Sequence, residues 1–168
     1  MTARLADKVI FLLKTPRRFK WVLSLYPPLW GTGIWVTHVS EDFRDVVVTM
    51  GSRFYNHNAF GAHFGGSLAA MTDPFPTLML MRVLGSDYQV IDSETHIRFL
   101  EQARGRVTAR FVLGEDALAE IRAATAGGNK HFARFQVDIK DDAGKIVVQV
   151  EKLIYVRLRR DLRSGAEA

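Results

Sequence analysis

Three features of the chain predict an α+β fold in which one antiparallel sheet of about five to six strands wraps around a single long helix. The first is the order of patterns: N-terminal helical segments, two strands, one long helix, then four strands broken by a short helical excursion. The second is alternation, clearest where Val107, Ala109, Phe111 and Leu113 share one face opposite Arg106, Thr108 and Arg110. The third is that only one helical pattern, Gly66 to Leu84, is long enough to cover such a sheet. The 168 residues suffice for one domain that buries roughly two thirds of the surface its unfolded chain exposes.

Taken in order, Leu5 to Leu13 reads as a short helix with an apolar face, and Pro16 opens a second one that Pro27 and Pro28 close. Ile34 to Ser40 and Asp45 to Met50 read as a hairpin about the polar turn EDFR. In the long helix, Leu68, Met71, Leu78, Met79 and Met81 face the core, while Pro74 and Pro76 kink or restart it. Tyr88 to Leu100 and Arg104 to Leu113 are strands joined by the turn at Glu101 to Gly105. Glu115 to Ala126 is a short helix ended by Gly127 and Gly128. His131 to Lys140 and Lys145 to Leu158 form a last hairpin about DDAG, and a charged, frayed tail follows.

Composition excludes several chemistries. With no cysteine, thiol nucleophiles, disulfides and thiolate metal sites are ruled out, and a reducing compartment fits. His38, His57, His63, His96 and His131 show no i, i+4 pair beside a carboxylate, so no metal is expected. The net charge of +5 resides in residues 1–30, where Arg4, Lys8, Lys14, Arg17, Arg18 and Lys20 face Asp7 alone. The short apolar run Val9 to Leu13 leads into TPRRFK without a small-residue cleavage site, and no run of about 18 apolar residues follows. A cytoplasmic location is therefore expected. The basic start, interleaved with Phe19, Trp21 and Leu23, could make weak contact with a membrane surface. A short basic appendage is not a continuous nucleic-acid-binding face, so no nucleic-acid partner is expected.

The chemistry concentrates in Asn56 to Pro76, NHNAFGAHFGGSLAAMTDPFP, where a polar glycine-rich loop runs into a small-residue helix. Backbone N–H groups at a helix start favour a developing negative charge. Gly65 and Gly66 let a substrate carbonyl approach, and Asp73, two turns on, could face the same cavity. The alternative is that the glycines serve packing and that Asp73 is the N-cap of a helix restarting at Pro74.

The spacing of Asn58, Gly61, Gly65, Gly66 and Asp73 resembles the signature of hotdog-fold acyl-CoA thioesterases, in the branch that includes the phenylacetate-pathway enzymes. Five of its six positions agree; the sixth, a histidine in that signature, is Phe64, with His63 one place earlier. The runs AHFGGSLAAMTDPF, ETHIRFLEQARGRVTARF and VDIKDDAGKIVVQVEKLIYV are similar to a group of bacterial hotdog proteins classed as a domain of unknown function and provisionally called thioesterases. The resemblance divides the chain into an N-terminal helical extension (1–33), a hotdog domain (34–158) and a charged tail (159–168).

The resemblance implies hydrolysis of an acyl thioester of coenzyme A or a related carrier, with coenzyme A as part of the substrate and no other cofactor. Gly65 and Gly66 would form the oxyanion hole, Asp73 would be general base or nucleophile, and Asn58 would orient the water or the carbonyl. Because an aspartate is a poor base at its ordinary pKa of about 4, an apolar pocket supplied by Phe64, Phe75 and the methionines is expected around Asp73. Gly61, His63, Phe64, Ser67 and Phe75 would line the acyl site, and Arg98, Arg104 and Arg106 would meet the coenzyme phosphates, unless they form a solvated face. Resembling proteins pair their sheets as homodimers or dimers of dimers with the active site at the interface. Two other functions fit the same pocket. One is a non-catalytic acyl-CoA or fatty-acid binding protein, suggested by Phe64; the other is an acyl-thioester hydratase or dehydratase.

Overall fold

Thr15 and Pro16 start the first described helix: the Thr15 hydroxyl accepts the Arg18 N–H at 3.3 Å, and Pro16 occupies the position where no N–H is needed. This computed structural model describes residues 13–159. The helix expected over Leu5 to Leu13 lies, Leu13 apart, outside the described residues, as does the tail beyond Arg159. Helix α1 (Pro16–Ser24) buries Phe19 and Leu23, and the short α2 (Pro27–Trp30) buries Leu29. Lys20 Nζ donates to the Thr37 carbonyl at 2.9 Å and so covers part of a sheet edge.

Six antiparallel strands follow: β1 (Ile34–Val39), β2 (Asp45–Met50), β3 (Tyr88–Phe99), β4 (Val107–Val112), β5 (His131–Asp141) and β6 (Ile146–Leu158), in the spatial order β1-β2-β4-β5-β6-β3. The hairpins β1-β2 and β5-β6 form as the sequence predicts. Strands β3 and β4, joined by residues 100–106, do not pair; β5 and β6 lie between them. That connection must therefore cross the end of the sheet. Among the described residues, strand β3 lies at an edge, hydrogen-bonded to β6 along one side only.

The inner face of the sheet is a largely apolar row in every strand but β3, such as Val46, Val48 and Met50 in β2 and Val107, Ala109 and Phe111 in β4. Helices α3 (Gly65–Thr72) and α4 (Phe75–Leu84) cover it with Leu68, Met71, Phe75, Met79 and Leu80. Phe75 is fully buried, its ring 5.1 Å from that of Phe111. Helix α5 (Glu115–Thr125) adds Leu118 and Ile121.

The expected long helix is thus two segments meeting at Asp73–Pro74. Asp73 keeps helical dihedrals (φ −64°, ψ −60°) and ends α3, so it is not the extended N-cap of a restarting helix. Pro74 has no N–H to give, and the Asp73 N–H bonds the Ala70 carbonyl at 3.4 Å, one tightened turn before α4 resumes. Among the described residues no helix is long and apolar enough to cross a membrane.

Packing of α4 on β4 makes a testable demand. Phe75→Ala should lower the unfolding free energy in a denaturant titration by about 3–5 kcal/mol, the usual cost of deleting a fully buried aromatic ring.

Candidate active site

The loop from Asn56 to Phe64 is held by side chains that satisfy its backbone. Asn56, 1 % exposed, donates from Nδ2 to the carbonyls of Thr32 (3.0 Å) and Gly51 (2.9 Å) and accepts the Arg53 N–H at 2.9 Å. It ties the loop to β1 and β2, a role that sequence inspection did not single out. Asn58 Oδ1 accepts the N–H groups of Phe60 (2.9 Å) and Ala62 (3.2 Å), and its Nδ2 donates to the His63 carbonyl at 3.4 Å. The Asn58 side chain is therefore engaged in shaping the loop. Gly61 takes φ +70°, a left-handed turn that favours glycine.

The crossing segment packs against this loop. Arg104 donates to the carbonyls of Phe60 (2.9 Å) and Gly61 (3.2 Å) and to Gln102 Oε1 (2.7 Å), and the His63 N–H bonds the Ala103 carbonyl at 2.9 Å. His63 is 2 % exposed; its Nε2 lies 2.8 Å from the Gly105 carbonyl. Nε2 therefore carries the proton and Nδ1 the lone pair, and Nδ1 has no partner among the described residues. Burial pushes the imidazole below its ordinary pKa, the Gly105 carbonyl pulls it back up, and the nearby His57 lowers it further. His57 itself meets Ser52 Oγ at 2.5 Å.

Between the loop and the crossing segment lies a cavity of about 400 Å³ that His63, Gly65, Leu68 and Phe99 help to line. Helix α3 begins at its wall, with Phe64 as N-cap and, among the described residues, no side chain capping its first N–H groups. Those of Gly65 and Gly66 are the donors nearest the helix start. The glycines also make room: a Cβ on Gly66 would overlap the Phe64 ring, and one on Gly65 would sit 3.3 Å from the Phe99 ring. Phe64 is 56 % exposed, and Ser67 is buried in the first turn.

Asp73 sits at the other end of α3 and is not among the residues lining this cavity. Its side chain is 68 % exposed, so within one chain it lies outside the apolar pocket expected from the sequence. The break leaves it on the rim, and Phe75 lies beneath in the core. Its neighbour is Lys152 of β6, whose fully buried ammonium donates to the Asp73 main-chain carbonyl and lies 3.4 Å from Asp73 Oδ1 and 2.7 Å from Asp92 Oδ1. Lys152 was missed in the sequence, although it is the one charged member of the row Val148, Val150, Lys152, Ile154, Val156. The three arginines serve different surroundings. Arg98 lines an opening with His96, Asp138 and Glu151, Arg104 holds the loop, and Arg106 is exposed beside Gly105.

Over residues 15–156 the chain matches the family described as Domain of unknown function (DUF4442), and it belongs to that family. No curated protein matches it. Its fold is the hotdog fold, shared with solved structures of low identity. One is PA5026 of Pseudomonas aeruginosa, described as a protein of unknown function and probable thioesterase (TM-score 0.72, 16 % identity, 83 % of this chain and 96 % of that one). A second is the thioesterase HI1161 of Haemophilus influenzae (0.63, 19 %, 86 % and 91 %). A third is OLEI01261 of Chlorobaculum tepidum, of unknown function (0.69, 17 %, 86 % and 98 %).

The lowered pKa of His63 has a definite sign. The unfolded chain binds a proton at the ordinary value of 6.5 while the folded chain resists it. The stability contributed by neutral His63 is thus present above that value and is lost as pH falls through it toward the lowered one. Denaturant midpoints should drop between about pH 7.5 and 5, and His63→Gln should flatten that portion of the profile.

Proposed function

We propose that this member of the DUF4442 family hydrolyses an acyl thioester of coenzyme A or a related carrier, and that its active site forms between two copies of the chain. The observation that carries this reading is the placement of the two candidate half-sites. Uncapped N–H groups and a cavity lie at one end of α3, and the Asp73 carboxylate lies at the other. At a rise of about 1.5 Å per residue the eight residue steps from Gly65 to Asp73 span about 12 Å. Oxyanion donors and a base acting on one carbonyl must each come within about 3 Å of the reacting atoms. Neither half can serve the other within one chain.

A second copy supplies the missing half if the two β3 edges pair. Strand β3 is 12 residues long and mostly exposed, with one edge outside the sheet ladder. Beyond the bulge between Asp92 and Glu94, its residues Glu94, His96 and Arg98 share the outer face. An antiparallel two-fold centred at His96 would set Glu94 of each chain opposite Arg98 of the other, a self-complementary row. Pairing would also cover Ile91 and Phe99, now 48 % and 55 % exposed.

In the assembled site the thioester oxygen takes the N–H groups of Gly65 and Gly66. Asp73 of the second chain removes a proton from a water as that water attacks the carbonyl carbon. The tetrahedral oxyanion collapses, the C–S bond breaks, and the sulfur leaves with the proton that Asp73 returns, giving a free acid and a thiol. Asn58, Gly61 and Arg104 act by fixing the loop that opens the helix. Membership of a fold shared with proteins described as thioesterases supports this chemistry without fixing the acyl group.

Thiol release from short, medium, long and aromatic acyl-CoAs tests the reading. Turnover of at least one should fall by about 10²- to 10⁴-fold in Asp73→Asn, the usual contribution of a positioned base. An equally fast variant would sink the assignment, and tight acyl-CoA binding without turnover would favour a binding protein. The shared site has its own test. Equal amounts of Asp73→Asn and Gly65→Val, each inactive alone, should on mixing and re-equilibration recover about a quarter of wild-type activity, because half of the dimers then hold one intact site.

A further inference from the structure

Lys152 is a buried ammonium on a face that is otherwise apolar. Its row in β6 continues through Val148, Val150, Ile154 and Val156, all buried, and the Lys152 side chain is 0 % exposed. A charge so placed is costly unless each N–H has a partner. An ammonium carries three N–H groups, and three oxygens surround this one. They are the Asp73 main-chain carbonyl, Asp92 Oδ1 at 2.7 Å and Asp73 Oδ1 at 3.4 Å. Asp92 stands on β3 immediately before the bulge between Asp92 and Glu94. Asp73 stands at the break between α3 and α4. One buried cation therefore joins the last strand of the sheet, its edge strand and the helix break.

The packing of the sheet does not call for a charge here, since a methionine would fill the same row. What the ammonium does reach is the backbone and carboxylate of the residue assigned above as base. An aspartate side chain exposed to 68 % would otherwise divide its time among staggered rotamers. Resting on the thioesterase reading, we propose that Lys152 is the positioning residue of Asp73. Braced from behind by Asp92, its ammonium grips the Asp73 carbonyl and one carboxylate oxygen, so that the other oxygen is held outward at a fixed angle for the attacking water. Lys152 touches no substrate in this role. The net proton transfer remains that of Asp73.

The expected kinetic signature of Lys152→Met is a fall in kcat of about 10²-fold, the scale of a misplaced catalytic group, with KM within about twofold. Thermal unfolding should change little, since methionine suits the apolar row and both carboxylates can rehydrate at the surface. Lys152→Arg, which keeps the cation and its donors, should recover most of the lost kcat. Asp92→Asn, which loosens the brace while leaving Lys152 in place, should give a smaller loss of the same kind and serves if the methionine variant does not fold. A kcat unchanged in Lys152→Met, or a loss that arginine does not restore, would overturn the proposal. A second readout needs no turnover. Crystal structures should show Asp73 in one rotamer in the wild type and in several in Lys152→Met. A single unchanged rotamer in the variant would refute the positioning role whether or not the chain hydrolyses thioesters. Absence of turnover in the wild type would refute the thioesterase reading and leave the rotamer comparison to decide this one.

Discussion

A six-stranded sheet with one apolar face must have that face covered, and in this chain α3 and α4 provide the central cover. The chain leaves β2 at Met50, runs over the end of the sheet to reach the helix, and comes back to β3 at the far edge. Each traverse exposes backbone that needs partners. The first is satisfied by Asn56, Asn58 and Arg104, and it delivers α3 with an uncapped start. The later crossing from β3 to β4, through residues 100–106, lies against the same loop and closes the cavity. The candidate oxyanion site and the unpaired β3 edge are thus two consequences of covering one sheet with one helical layer.

The local parts of this arrangement were legible in the sequence. Alternation in β4 identified its inner row, and the glycines at 65 and 66 marked the helix start. What depended on distant partners was not. Asn56 and Asn58 are both loop asparagines by sequence. Only the positions of Thr32 and Gly51 make the first a buried anchor. Asp before Pro suggested an N-cap, yet the backbone stays helical because losing one N–H at Pro74 is met by a single tightened turn. The turn after β3 suggested local continuity, whereas two strands, β5 and β6, separate β3 from β4. Lys152 is the instructive omission: a single charge within an alternating apolar row signals a buried partner, but only the fold shows that the partners are Asp73 and Asp92.

Under the thioesterase reading, Phe64 in place of histidine changes how the helix start would work. A histidine there could donate a hydrogen bond or carry a proton; a phenylalanine can do neither. Its ring instead lies against Gly66, and the Phe99 ring lies close to Gly65. Two aromatic rings thus stand beside the uncapped N–H groups, while Gly66 stays exposed in the single chain; an approaching second chain would dry these donors, and a dipole acting in a drier medium stabilises an oxyanion more strongly than one facing solvent. Assembly would thereby offset the loss of one donor by desolvating the two that remain. The attacking water would enter from the side of Asp73. That carboxylate is exposed in the single chain and held at the rim by Lys152, where an approaching second chain would enclose it. Assembly and chemistry then depend on one surface, because the pairing that hides the β3 edge is also what brings base and oxyanion site to the same carbonyl.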